Sequence, residues 1–245
     1  MSVAIPLVTT IVSILFALSV LDQYLERRRP YQLVWTVGLF LYGAASLLQT
    51  LWSTGVYGEW VFRLWYLTGA MLVAAYLGMG SMYLHLSRKA ANGVLIVLLV
   101  LTAASFVLSA FGTLNADVAL LKNHDLASVV PGTESERYYP AYVAILTAIL
   151  NIYGSLALVG SAVYSAIVVV RRKAPGYRAV SNVLIAAGAF ISAAGGTMER
   201  FDVPQPHTVS LLLGVVIIYA GFQRSREKFE VYRIPFMRKA KAAGA

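Results

Sequence analysis

The 245-residue sequence contains no cysteine. That excludes disulfides, thiolate metal sites, iron–sulfur clusters and a cysteine nucleophile together. Charge is scarce too: 13% of residues carry it, against about a quarter in an ordinary soluble domain. So few charges cannot cover a water-facing surface. With 59% hydrophobic residues and a mean hydropathy of +0.70, lipid is the natural solvent. Proline is missing from the middle of every apolar run. Pro6, Pro30, Pro131, Pro140, Pro175, Pro204, Pro206 and Pro235 all fall at run ends or between runs, so no proline-broken helix is expected at mid-membrane. No glycine-rich loop ends in Lys-Ser or Lys-Thr, which removes the common phosphate-cradling signature.

Histidine is nearly absent as well. His85 falls at the opposite end of the predicted bundle from His207, so the two cannot share one haem iron. His124 and His207 lie on one side with Asp117, Asp125, Glu199 and Asp202, but no two histidines stand one helical turn apart as a close ligand pair would. These residues read as loop polarity. The sequence therefore assigns no catalytic residue, no metal site and no cofactor.

What is present is apolar sequence in long blocks. Seven stretches separate cleanly: Val3–Tyr24, Gln32–Ser53, Val61–Leu84, Gly93–Phe111, Tyr142–Val170, Val180–Met198 and Thr208–Gln223. Each approaches the ~20 residues a helix needs to cross a ~30 Å hydrocarbon core. Runs such as Val94–Val100 do not alternate with period two, which rejects a membrane β-barrel. The prediction is an all-α bundle of seven transmembrane helices over residues 1–223, followed by a basic tail over 224–245. No basic segment precedes the first apolar run, so it reads as a retained helix and not a signal peptide.

The net charge of +9 is arranged by side. All lysines and arginines except Arg63, Lys122, Arg137 and Arg200 fall in connections on one side of the predicted bundle. Basic loops stay cytoplasmic, which places the N-terminus outside and the C-terminus inside. The excess of positive charge thus reports topology and anionic lipid, and no nucleic-acid partner is assigned. The first half of the tail mixes basic residues with Phe229, Tyr232 and Phe236, and reads as lying on the inner leaflet. Arg27-Arg28-Arg29-Pro30-Tyr31 and Arg171-Arg172-Lys173-Ala174-Pro175-Gly176-Tyr177 introduce the second and sixth helices in similar ways. This suggests two parallel triplets joined by the fourth helix. The external connection over about 112–139 is long enough to lid the outer mouth.

Polar residues inside apolar runs are costly in lipid and usually face the bundle interior. Gln49, Arg63, Tyr66, Asn151, Asn182 and Glu199 are the candidate ligand-binding set, with Arg63 and Glu199 as a pair at the outer interface. Together they read as an outer-facing pocket for a small amphipathic ligand. The alternative is that the amides bridge helices and the aromatic residues mark the interface. A retinal site is excluded, because Thr208–Gln223 holds no lysine for a Schiff base.

The region Tyr24–Leu86 resembles the N-terminal seven-helix membrane region of bacterial sensor histidine kinases. It carries a basic turn (Glu26-Arg27-Arg28-Arg29-Pro30), Trp35 entering the second helix, Trp52 near its end, and Leu64-Trp65-Tyr66-Leu67 with Gly69 in the third. The resemblance implies sensing or anchoring. With only the basic tail after Gln223 it also implies a signalling partner on a separate chain. Three functional classes remain: a non-catalytic sensor, adaptor or complex subunit; a small-solute or lipid transporter; and a membrane enzyme on an amphipathic substrate. The first is expected, in the plasma membrane of a bacterium or archaeon, with lipids and a protein partner or further copies of the chain as neighbours.

Overall fold

A computed structural model of the chain describes residues 3–114, 139–171, 176–198 and 206–224. Among them the structure is helical, with no strand. The helices are α1 (Ala4–Arg27), α2 (Pro30–Ser53), α3 (Glu59–Met82), α4 (Arg88–Phe111), α5 (Ala141–Arg171), α6 (Gly176–Met198) and α7 (Pro206–Arg224). A helix thus occupies each predicted apolar stretch, with shifts at the ends. Five are long and apolar enough to cross a membrane: α1 to α4, and α5 over Ala141–Ser165. At 1.5 Å per residue a 24-residue helix is about 36 Å long, enough for the hydrocarbon core. The apolar helices within the last two elements are shorter, Val183–Ser192 and Thr208–Arg224.

Local chemistry sets the boundaries. Pro30 opens α2, where its missing N–H is no loss. The Ser87 side chain caps α4 by accepting from the Ala90 N–H, so α4 begins at Arg88, ahead of the apolar run itself. Gly55, with φ of 94°, turns the chain after α2 in a conformation other residues rarely adopt.

Leaving α4 aside, the helices pack in sequence order around a ring. α1 lies on α2, α2 on α3, α3 on α5, α5 on α6, α6 on α7, and α7 returns to α1. α4 stands against α3 and α5 at the edge. Trp52, Phe62, Met71, Met79 and Leu150 form one core among α2, α3 and α5, and Phe16, Val20, Leu39, Val215 and Phe222 form a second among α1, α2 and α7. Two contacts are closed by glycine. A Cβ on Gly78 would stand 2.6 Å from the Gly154 carbonyl oxygen, and one on Gly188 would stand 2.7 Å from that of Gly214. Small residues at such points let helix backbones approach where lipid offers no hydrophobic drive to association.

Serine and threonine hydroxyls within the helices turn back on their own backbone. Thr9, Thr10, Ser13, Thr36 and Thr50 each donate to the carbonyl four residues earlier. This satisfies a polar group without water. The outside is apolar instead. Only 17% of the α4 window is buried, and Ile96, Val100, Val107 and Phe111 face outward.

Candidate functional site

The most connected polar group among the described residues is Arg63, in the first turns of α3. Its side chain is only 9% exposed. Nε donates to Glu59 at 2.7 Å, and Nη2 stands 2.6 Å from the same carboxylate oxygen. Nη1 donates to the carbonyls of Ser109 at 2.6 Å and Gly112 at 2.8 Å. The last carbonyls of a helix have no partner within it, and a cation there also meets the negative end of the helix dipole. Arg63 thus closes the C-terminus of α4. In return the Ser109 hydroxyl donates to the Arg63 carbonyl at 2.9 Å.

Tyr139, just ahead of α5, joins the same point. Its hydroxyl donates to the Ser109 carbonyl at 3.1 Å, and the Arg63 guanidinium lies 6.0 Å from its ring centre. Its ring stacks on Phe62 and packs against Tyr66, with centroids 6.0 and 4.8 Å apart. Burial raises the Tyr139 phenol above its ordinary value, while the Ser109 hydrogen bond and the Arg63 charge oppose that shift.

Deeper along α3 the helix widens. Tyr66–Leu72 is π-helical, and the Val73 N–H reaches back to the Thr68 carbonyl. Such segments interrupt the regular carbonyl ladder and occur often at functional sites. α5 supplies the compensation. Asn151 Nδ2 donates to the Ala70 carbonyl at 2.6 Å and to Thr147 on its own helix at 2.9 Å. One turn away, the Thr147 hydroxyl donates to Val143 and stands 3.2 Å from the Tyr66 hydroxyl.

The structure therefore gathers three of the candidate residues, Arg63, Tyr66 and Asn151, along the seam of α3 with α4 and α5. Gln49 lies elsewhere. It is buried on α2 and donates to Thr208 of α7 at 3.3 Å. Further bonds hold α7 to its neighbours: Tyr42 donates to the Leu211 carbonyl at 2.9 Å, the Ser19 and Tyr219 hydroxyls are 3.1 Å apart, and the Ser181 hydroxyl of α6 donates to the Gly221 carbonyl at 2.5 Å. Asn182 belongs to α6, but its side chain is not among those described; Glu199, most of the 112–139 connection and the 225–245 tail lie outside the described residues. The Arg63–Glu199 pairing lies outside them for that reason, and Glu59 is the carboxylate described at Arg63.

Ser109, Tyr139, Thr147 and the π-helical turn were not singled out by sequence reasoning. Serine and threonine are common in membrane helices, and nothing in local hydropathy marks a register change. Tyr139 carried a signal, as part of an aromatic cluster attributed to the membrane interface. The Glu59–Arg63 spacing also carried one, since residues four apart share a helix face. Chemically, the seam is a set of mutually satisfied donors and acceptors with one exception, the Ser105 hydroxyl, buried on the inward face of α4 without a partner among the described residues. Among the described residues no three histidine, aspartate or glutamate side chains converge. Compared with known proteins, the chain matches no family model, no curated protein and no solved structure.

Proposed function

We propose that this chain is a seven-helix membrane protein, N-terminus outside, that works without catalysis as a sensor, adaptor or subunit of a larger complex. One observation carries the reading. Apart from the buried Ser105 hydroxyl of α4, which has no partner among the described residues, the polar groups of the α3–α4–α5 seam are spent on one another, while the apolar faces of α4 and α5 are turned outward. An enzyme needs groups aimed at a substrate. A transporter is expected to carry ionisable groups at mid-membrane or broken helices lining a path. Here Arg63 has its donors on Glu59 and the α4 carbonyls, and Asn151 has its on Ala70 and Thr147.

In this reading the shorter apolar helices of α6 and α7 complete the set of seven, and the ring order brings α7 back to α1. The position of α4 at the edge suits a connector between two triplets. The resemblance of Tyr24–Leu86 to sensor kinase membrane regions favours sensing.

Native mass spectrometry of the full chain, extracted gently from its own membrane, tests this. A stoichiometric second polypeptide, or a defined homo-oligomer, supports the subunit or adaptor role. A bare monomer that repeatedly retains one small molecule overturns the adaptor and subunit roles and points to ligand sensing, transport or catalysis; a bare monomer that retains nothing overturns all three proposed roles.

A further inference from the structure

The connection between α1 and α2 consists of Arg28 and Arg29 alone, with Arg27 closing α1. All three side chains are exposed. Among the described residues none forms an ion pair with a carboxylate, although Asp22 and Glu26 lie on the preceding turns of α1. Three guanidinium groups with no ion pair among the described residues thus sit at one end of two membrane-length helices.

The corner that carries them is fixed in place. The Arg28 N–H caps α1 on the Tyr24 carbonyl at 2.7 Å, and its guanidinium lies 5.7 Å from the Tyr24 ring centre. Gln32 donates to Gln23 across the corner at 3.0 Å. Beside it Tyr31 meets Trp35 edge-on at 5.3 Å, and the Trp35 indole N–H anchors the pair inward by donating to the Leu77 carbonyl of α3 at 3.1 Å. Arg28 itself adopts φ of 52°, a conformation that favours glycine and costs any residue with a Cβ. Arginine therefore stands where the fold alone would prefer glycine. That pattern fits a residue kept for what its side chain binds.

We propose that the Arg27–Arg28–Arg29 corner is a binding site for the phosphodiester headgroup of an anionic phospholipid. The guanidinium fork matches phosphate oxygens in pairs, and the corner presents three forks at the depth where such headgroups lie. The inference rests on the membrane-spanning reading but not on which side is cytoplasmic.

The test uses the full chain in nanodiscs of phosphatidylcholine, with and without phosphatidylglycerol, read by thermal unfolding and by lipid adducts in native mass spectrometry. The wild type should unfold several degrees higher with phosphatidylglycerol and retain a small saturable number of its molecules. Inorganic phosphate at millimolar concentration should give no such shift, which separates a lipid from a free anion. Arg28→Gly should be as stable as the wild type or more so in phosphatidylcholine, yet lose at least half of the phosphatidylglycerol shift. Arg88→Gln, which removes one charge from the first residue of α4, should keep it. Arg28→Gly retaining the full shift overturns the proposal. So does Arg28→Gly being less stable in neutral lipid, or Arg88→Gln losing as much, since that would mean bulk surface charge. A chain that enters nanodiscs and ignores phosphatidylglycerol refutes only this inference; one that never enters them refutes the membrane reading as well.

Discussion

Asn151 of α5 donates to the main-chain carbonyl of Ala70 at 2.6 Å, inside the π-helical turn of α3. A side chain on one helix thus supplies a hydrogen bond to the irregular backbone of another, in a region with no water to do it. The irregularity has a visible purpose. The first turns of α3 are held to α4 by Arg63, while its last turns meet α5 through Gly78 and Gly154. A uniform α-helix turns 100° per residue, and the wider turn lies between these two contacts, where it changes the rotational register of one relative to the other.

Replacing Asn151 by leucine keeps the volume and removes the donor. The expected cost is about 1 kcal/mol, in the range of interhelical hydrogen bonds in membranes. Thermal unfolding in detergent measures the loss, and amide exchange near Val73 should rise with it. An unchanged melting temperature together with unchanged exchange would mean that the π-helical turn does not depend on α5.

Arg63 and Glu59 should respond unequally. Arg63→Met strips the Ser109 and Gly112 carbonyls of a charged donor in a buried place, at a cost of about 3 kcal/mol. Glu59→Gln weakens an ion pair whose carboxylate is 56% exposed, and about 0.5 kcal/mol is expected. Comparable losses in both variants would show that the ion pair, and not the closure of α4, holds this end together.

Glycine substitutions divide by contact. Gly154→Ala would drive a methyl into the backbone of Ala74 and Ala75, separating α3 from α5. It should unfold well below the wild type, or fail to accumulate in the membrane. Gly160→Ala, on the same helix but facing open space, should stabilise by up to about 1 kcal/mol through helix propensity. Equal behaviour of the two variants would contradict the close packing of α3 on α5.

Tyr139 introduces a pH dependence. Its phenol ionises less readily in the folded chain than in the unfolded one, so the folded state holds the proton more tightly. That contribution is complete below the unfolded value near 10 and is lost as pH rises through it toward the higher folded value. Tyr139→Phe should cost about 1 kcal/mol at neutral pH through the lost bond to Ser109. The gap between variant and wild type should narrow in alkaline solution. A constant gap up to pH 11 or so would show that the phenol does not titrate with folding.

The helical architecture was legible in the sequence because hydropathy is additive along a chain. Long apolar runs such as Val94–Val100, bounded by Arg88-Lys89 at one end and Gly112 at the other, have few stable alternatives in lipid, where every backbone group must be paired within the segment. Helix starts were shifted where a cap outweighed hydropathy, as Ser87 does for α4. Candidate residues were legible one at a time. Arg63 and Asn151 stood out as polar groups too costly to leave facing lipid.

Their partners were not legible. That Asn151 would meet Ala70, that Arg63 would meet the end of α4, and that Gln49 would lie apart from both against Thr208 depend on which helix faces are neighbours. The acceptors are mostly main-chain carbonyls, which every residue carries and no sequence pattern marks. The sequence by itself determined that this chain forms apolar helices with a basic side and a few interior polar groups, because composition and periodicity act locally. Only the tertiary structure decided how those groups are spent, because a hydrogen bond between helices is fixed by the register and rotation of two elements at once.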